Sequence, residues 1–405
     1  MNFPFKQAAC ILDQLISHGF EAYVVGGAVR DYLLDRPIHD IDVATSAHPA
    51  DVVSLFKRTI PVGVQHGTVA VLFGGKPFEV TTFRSETGYD DFRHPNKVDF
   101  VLTLDQDLMR RDFTINALAM DRTGKIIDLF EGRADIAHRQ IRTVGRAEER
   151  ISEDPLRIMR GIRFTSELCF TLGNQERAAF LEKSALLKNI SVERVNQEMV
   201  RLLAGRGVQE AIGILFETKC IHALPLLENA ELHSGLSGVR FSILQSVEER
   251  WAAFLIGLGI KNTHEFAKAW KWSRETERKV TRLIELQNVR RLADWTPESV
   301  YFAGEDDAKA ADRLLAASGV VNEAYLSLLE QQVIELWRSC PIHSRSELAA
   351  TGNHFLHWSG LKPGPWLAKV ISQLEKDIVN GNVENDLEVI ESWFKRWQIT
   401  QKKQS

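Results

Sequence analysis

The segment Tyr23-Val24-Val25-Gly26-Gly27-Ala28-Val29-Arg30-Asp31 reads as a strand running into two glycines and then a helix. Such a junction leaves unpaired backbone N–H groups at a helix start, where a phosphate can sit. Arg30, one turn in, adds a guanidinium able to grip a phosphate with two parallel hydrogen bonds. A bare Gly-Gly is more often a tight turn, so the weight rests on the carboxylates downstream of it. His39-Asp40-Ile41-Asp42-Val43 comes next; in a strand alternate side chains share a face, so Asp40 and Asp42 point the same way. Two carboxylates on one face repel unless a cation lies between them. Hard oxygen ligands beside a nucleoside triphosphate are the usual seat of magnesium, and a pair of such ions stabilises both attacking and leaving oxygens in phosphoryl transfer. Glu79, in Phe78-Glu79-Val80-Thr81-Thr82, is evenly balanced between a third carboxylate for that site and a solvent-facing strand residue.

A small sheet has to hold these groups. Short β-branched runs between turns predict strands over 22–25, 41–45, 68–73, 78–83 and 126–129. Helices fit at 6–18, closed by Gly19, and at 28–34, stopped by Asp35-Arg36-Pro37; Gly74-Gly75-Lys76-Pro77 reads as a hairpin turn. From about Pro155 onward the apolar spacing is helical, as in Val192, Val195, Met199, Val200, Leu202 and Leu203, and all nine tryptophans lie at or beyond Trp251. At 405 residues the chain exceeds one hydrophobic core, and residues 232–238 come nearest to a linker. Its 44% hydrophobic and 26% charged residues exclude disordered and fibrous classes. A net charge of -4 excludes a globally basic nucleic-acid coat, though not a local basic patch. No apolar run is long enough to span a membrane, and the start has no signal-peptide pattern. Cys10, Cys169, Cys220 and Cys340 stand far apart and suit a reducing compartment, so the expected location is cytoplasmic.

Two further clusters complete the set: Arg110-Arg111-Asp112-Phe113-Thr114-Ile115-Asn116-Ala117 and Glu153-Asp154-Pro155-Leu156-Arg157-Ile158-Met159-Arg160. With Gly26 to Asp31, Asp40-Ile41-Asp42 and Ser191-Val192-Glu193-Arg194, they resemble, in order and spacing, the motifs of the class II tRNA nucleotidyltransferase and bacterial poly(A) polymerase family. The resemblance covers about the first 200 residues. In length and tail the chain is most similar to the CCA-adding enzymes of Bacillus-type bacteria. It implies an α+β fold: a polymerase-β-like nucleotidyltransferase head with a small sheet, followed by an all-α neck, body and tail. The implied division is a catalytic head over 1–138, a nucleotide-selecting helical neck over 139–207, a helical body over 208–290 and a helical tRNA-binding tail over 291–405.

The resemblance also implies roles. Asp40 and Asp42 would hold Mg2+, with Gly27 and Arg30 on the triphosphate of ATP or CTP. Arg111 would contact the nucleotide, and Asp112 would accept from the ribose 2′-hydroxyl. Taken alone, Arg110-Arg111-Asp112 would be a surface charge cluster or a helix start.

Asp154 before Pro155 is a helix-start signature, and Arg157, Arg160 and Arg163 fall on one slowly drifting stripe that is more often a solvated face. The functional reading rests on base chemistry. Cytosine and adenine each present an amino donor beside a bare ring nitrogen, so a carboxylate that only accepts, Asp154, beside a guanidinium that only donates, Arg157, fits both. Uracil and guanine meet the same pair with acceptor against acceptor and donor against donor. Arg160 and Arg163 would serve the phosphates or orient that pair.

The expected activity is therefore addition and repair of the tRNA 3′-terminal CCA from CTP and ATP, releasing pyrophosphate. The segment 85–95 reads as mobile; in the family a loop here accompanies the switch to adding A, and CC-only enzymes lack it. A-only addition after a separate CC-adding enzyme stays open, as does poly(A) polymerase. A non-catalytic RNA-binding protein is the alternative of another class, disfavoured because decay would first remove the costly Asp40 and Asp42 pair. Lys271, Arg274, Arg278, Lys279 and Arg282, behind Trp270 and Trp272, read as a solvated face or a surface for tRNA. Gly360-Leu361-Lys362-Pro363-Gly364-Pro365-Trp366 resembles a tail motif and fits a turn opening a helix, whose start could hold a tRNA phosphate. No membrane partner is expected, and a homodimer is a family-level expectation.

Overall fold

Asp42 stands beside Val25, the residue before the two glycines, because β1 (Ala22–Val25) and β2 (Asp42–Thr45) run antiparallel with those residues in register. On its other side β2 lies parallel to β5 (Lys76–Thr82), with Val43 opposite Val80. These strands belong to a mixed sheet that also contains β3 (Thr59–Gly63), β4 (Thr68–Phe73), β8 (Leu118–Met120) and β9 (Ile126–Asp128), in the order β3-β4-β5-β2-β1-β8-β9. A separate antiparallel pair is formed by β6 (Arg84–Thr87) and β7 (Lys97–Phe100). The computed structural model describes residues 3–63, 66–87, 97–101 and 103–404. Residues 88–95 of the segment expected to be mobile therefore lie outside the described residues.

Val43, Ala44 and Thr45 are all buried, as befits a strand covered on both faces. β5 alternates instead, with Phe78, Val80 and Thr82 inward and Glu79 outward. The turn from β4 to β5 is the two-residue loop Gly74-Gly75, both at positive φ (59° and 79°), so Lys76 and Pro77 start the strand rather than the turn. β3 escaped the sequence reading because Pro61 argues against a strand; it sits at the sheet edge, where a missing N–H is tolerated. β8 is three residues long, too short for any periodicity. Asp40 lies just before β2 rather than within it, so the shared strand face expected for Asp40 and Asp42 is half correct.

The chain forms two units, one of Met1–Leu232 with Glu265–Trp272 and one of His233–His264 with Ser273–Ser405. In the first, the helix Leu156–Leu168 follows the sheet. It buries Leu156, Ile158, Met159 and Ile162, and packs Phe164 edge-to-face on Phe113 at 5.7 Å. Gly161 admits the Phe180 ring against this helix, since a Cβ there would stand 2.7 Å from it. The Ser166 hydroxyl donates to Leu202 O at 2.6 Å, tying this helix to Val192–Ala204. The helical region is not wholly α: Gln140–Ile141 pairs with Thr171–Leu172 as a short parallel ladder.

The second unit is helical. One core gathers Phe355, Val370, Leu374, Ile390 and Phe394, with Trp358, Trp366 and Trp397 packed against it. As expected, Pro365 opens the helix Pro365–Val379. The head is α+β and the remainder mostly helical, as the sequence implies. Among the described residues no helix is long and apolar enough to cross a membrane.

Candidate active site

A cavity of about 970 Å3 in the first unit is lined by every residue that the sequence assigned to metal or nucleotide: Gly27, Arg30, Asp40, Asp42, Arg111, Asp112, Asp154, Arg157, Arg160 and Arg163. Glu79 lines it too, because the parallel β2–β5 register sets it beside Asp42. Glu79 is solvent-facing and borders the paired aspartates. Asp42 lines the cavity and is in part exposed to solvent. Burial there, then the Glu79 charge, pushes its carboxyl up, Arg111 opposes this, and Asp40 adds to it. A carboxylate whose ionisation is resisted by two neighbours of like charge gains most when a cation joins them. Among the described residues no three His, Cys, Asp or Glu side chains cluster tightly enough to cage a metal. One or two carboxylates, with water and phosphate oxygens completing the shell, is how magnesium is commonly held, so the donor set fits that ion.

Gly26 adopts φ 73° and ψ -133°, a conformation open to glycine alone. A Cβ there would also lie 2.9 Å from Arg111 Nη1, so the glycine admits the guanidinium to the strand end. Arg111 is anchored by Asp107 at 3.1 Å. The Arg30 guanidinium folds back over the helix start, its Nη2 3.6 Å from where a Gly27 Cβ would be. It donates to both Asp31 oxygens (2.9 and 3.0 Å) and to Asn116 Oδ1 (2.7 Å).

The stripe of arginines is not a solvated face. Arg157 and Arg163 are 5% and 1% exposed, and Arg160 is half-buried. Each is held by carboxylate: Arg157 by Glu153 at 2.9 Å, Arg160 by Asp112 at 2.8 Å, Arg163 by Glu167 at 2.7 Å with Glu198 beside it. The Phe164 ring lies under Arg30, Arg160 and Arg163, the last with its guanidinium 4.1 Å from the centroid. Asp154 makes the bond expected of a helix start and is also paired with an arginine from another helix. Oδ1 accepts the Leu156 N–H at 3.1 Å, as at a helix start, and Oδ2 accepts from Arg194 at 3.2 Å. Each oxygen has a second lone pair to offer.

Asp112 is more fully occupied. Oδ1 accepts from Phe113 N (2.8 Å) and Asn116 Nδ2 (3.2 Å), while Oδ2 accepts from Arg160 Nε and Nη2. Burial works to raise this carboxyl, but the Arg160 charge and these hydrogen bonds outweigh it and hold it well below the usual carboxylate range. Asn116, Phe164, Glu153 and Glu198 received no role from the sequence. Asn116 stood within a quoted motif, yet nothing in its spacing announced a partner 86 positions away.

The basic stretch near residue 280 divides. Lys271 precedes the helix Arg274–Leu292, at φ 56°, and belongs to the first unit with the buried Trp270. Lys279 and Arg282 border a cavity of about 960 Å3 in the second unit, where both pair with Asp307. Arg274 and Arg278 line the same cavity and are exposed.

The chain is similar to known proteins along most of its length. Residues 22–142 match the family model for the poly A polymerase head domain. Residues 169–231 match the "Probable RNA and SrmB- binding site of polymerase A", and 243–394 the putative tRNA nucleotidyltransferase domain 2. CCA-adding enzymes of Bacillus cereus (strain Q1) and Bacillus anthracis are each 42% identical, over 98% of this chain and 99% of theirs. The Bacillus stearothermophilus CCA-adding enzyme, solved with CTP, superposes with a TM-score of 0.93 at 40% identity, covering 100% of both chains. The Thermotoga maritima CCA-adding enzyme, solved with tRNA, shares the fold at 18% identity and a TM-score of 0.63, over 96% of this chain and 94% of that one. The chain belongs to the class II tRNA nucleotidyltransferase family, among its CCA-adding enzymes.

Proposed function

We propose that the protein completes and repairs tRNA 3′ ends, joining C twice from CTP and A once from ATP, with pyrophosphate released at each addition. The observation that carries this is the meeting, in one cavity, of the paired carboxylates Asp40 and Asp42 with the acceptor–donor pair Asp154 and Arg157. Enzymes of this family generally use a divalent cation; here Asp40 and Asp42 would hold Mg2+. When bound, that ion supplies neutralising charge at the reacting phosphate and eases ionisation of the attacking hydroxyl.

The protein's own groups do the rest. Gly27 leaves room for the triphosphate, and Arg30 and Arg111 grip it. In this reading Asp40 takes the proton of the tRNA 3′-hydroxyl on its carboxylate as that oxygen attacks the α-phosphate. Asp154 accepts the amino group of cytosine or adenine and Arg157 donates to the ring nitrogen, so the protein acts as the template. Asp112 serves the ribose end, where accepting a 2′-hydroxyl requires one of its four donors to turn away. Arg160 and Arg163, clamped by acids and Phe164, hold the selecting helix in register. Residues 1–138 form the catalytic head, 139–207 the selecting neck, 208–290 the body and 291–405 the tRNA-binding tail.

The test supplies three tRNA transcripts, ending before CCA, after C and after CC, with magnesium and CTP, ATP or both. Stepwise completion of all three is expected. Extension of the CC-ended transcript alone by one A would reassign the protein as an A-adding partner, and long A tails would make it a poly(A) polymerase.

A further inference from the structure

Asn116 joins two halves of the cavity that the sequence leaves unconnected. Its side chain is 8% exposed and makes one bond in each direction. Arg30 Nη1 donates to its Oδ1 at 2.7 Å, and its Nδ2 donates to Asp112 Oδ1 at 3.2 Å. The orientation of the amide is fixed by its neighbours: a guanidinium only donates and an ionised carboxylate only accepts, so no flipped amide satisfies both. Asp112 in turn holds Arg160 on the selecting helix. We infer that Asn116 is a positioning residue that sets the Arg30 guanidinium against the nucleotide triphosphate and links it through Asp112 and Arg160 to the helix that reads the base.

Arg30 has a competing tether, since its Nε and Nη2 are held by Asp31, its neighbour on the same short helix. That paired bond ties the guanidinium to its own helix and to no other element. Asn116, on the 3-10 turn Thr114–Asn116, supplies the third point that fixes it. The turn is itself held inside the protein: Thr114, Ile115 and Asn116 are all buried.

The inference rests on the assignment of Arg30 to the triphosphate, and the experiment separates the two. Nucleotide KM and kcat are measured for the protein as it is and for Asn116→Ala, Arg30→Ala and the double variant, with inorganic tripolyphosphate as a competitive inhibitor that carries no base. Loss of a hydrogen bond to a charged group predicts that Asn116→Ala raises the KM for CTP, the KM for ATP and the tripolyphosphate inhibition constant by one common factor of about ten. tRNA affinity should be unchanged. Because Asn116 acts through Arg30, the double variant should be no worse than Arg30→Ala alone. Asn116→Asp keeps the acceptor for Arg30 but turns an oxygen toward Asp112, and should likewise raise all three constants.

Effects of the two alanine variants that multiply in the double variant would overturn the inference. So would an Asn116→Ala protein that melts earlier with KM unchanged, while Arg30→Ala raises it. If Arg30→Ala itself leaves tripolyphosphate inhibition untouched, the assignment of Arg30 fails instead, and the inference with it.

Discussion

The two large charged cavities have nearly the same volume, about 970 and 960 Å3, yet they are assembled differently. All lining residues of the second cavity except Glu248 and Asp307 come from one helix, Arg274–Leu292. The first collects Gly26 after β1, the helix Gly27–Leu33, the start of β2, β3 to β6, the segment around Asp112 and two helices beyond residue 155. Charges spaced along one helix interleave in sign, as Glu275, Glu277 and Glu285 do with Arg274, Arg278, Lys279 and Arg282 there. Charges brought from distant segments can instead be sorted. In the first cavity the charges of Glu79 and Asp40 add to burial in raising the cost of ionising Asp42, while the arginines come from the other elements. Sorted charge is costly to the fold and useful to a ligand that is itself sorted, with a triphosphate at one end and a base at the other.

The sharpest way to break that comparison is at the aspartates. Asp40→Ala or Asp42→Ala should reduce nucleotide incorporation by on the order of 10³-fold or more, about 4 kcal/mol in the barrier. Gel-shift affinity for tRNA should be retained, and the melting temperature of Asp42→Ala should not fall, because a like-charge repulsion is relieved. Retained incorporation would mean that the sorted acids are not the catalytic ones.

At the other end of the cavity, Asp154→Ala should lower the preference for CTP over UTP by about 10- to 100-fold in single-turnover incorporation, as expected when one polar partner of a base is lost. A uniform fall for all four nucleotides would reduce Asp154 to its helix-start bond with Leu156.

Asp112, held below the usual carboxylate range, makes a pH-dependent prediction. A group with a depressed folded pKa contributes stability above its unfolded value, about 3.9, and loses it as pH falls through the folded value. Asp112→Asn should therefore destabilise by about 2 kcal/mol at neutral pH in urea titrations, with the difference from the unaltered protein shrinking below about pH 3. A difference that persists in acid would assign the effect to packing.

The smallest effect belongs to the second cavity. Arg278→Ala, at an exposed position, should change stability by less than about 0.5 kcal/mol and weaken tRNA binding no more than about threefold, less so at high salt. A catalytic loss as large as that of the aspartate variants would erase the distinction between the cavities.

Much of the head was legible from local pattern. The strand into Gly26, the hairpin at Gly74-Gly75 and the helix after Pro155 are each specified by residues within a few positions of one another. The tiny β8, the edge strand β3 with Pro61 and the start of β2 beyond Asp40 were misread or missed, because pairing with neighbours rather than periodicity makes them strands. The burial of Arg157 and Arg163 ran against the ordinary expectation for an arginine stripe. Their solvation is replaced by Glu153, Glu167 and Glu198, and the last of these is 35 residues or more along the chain from either arginine.

Residue type and order were enough to name the chemistry. Paired hard carboxylates, a glycine turn with an arginine one turn in, and an acceptor beside a donor are properties of the side chains themselves, whatever surrounds them. How each side chain is oriented and occupied depended on contacts between segments far apart in the chain. Register placed Glu79 beside Asp42, four donors filled the lone pairs of Asp112, and Asn116 became the link from Arg30 to Arg160. Hydrogen bonds and charge effects act over a few ångströms in space, and folding alone converts separation along the chain into that proximity.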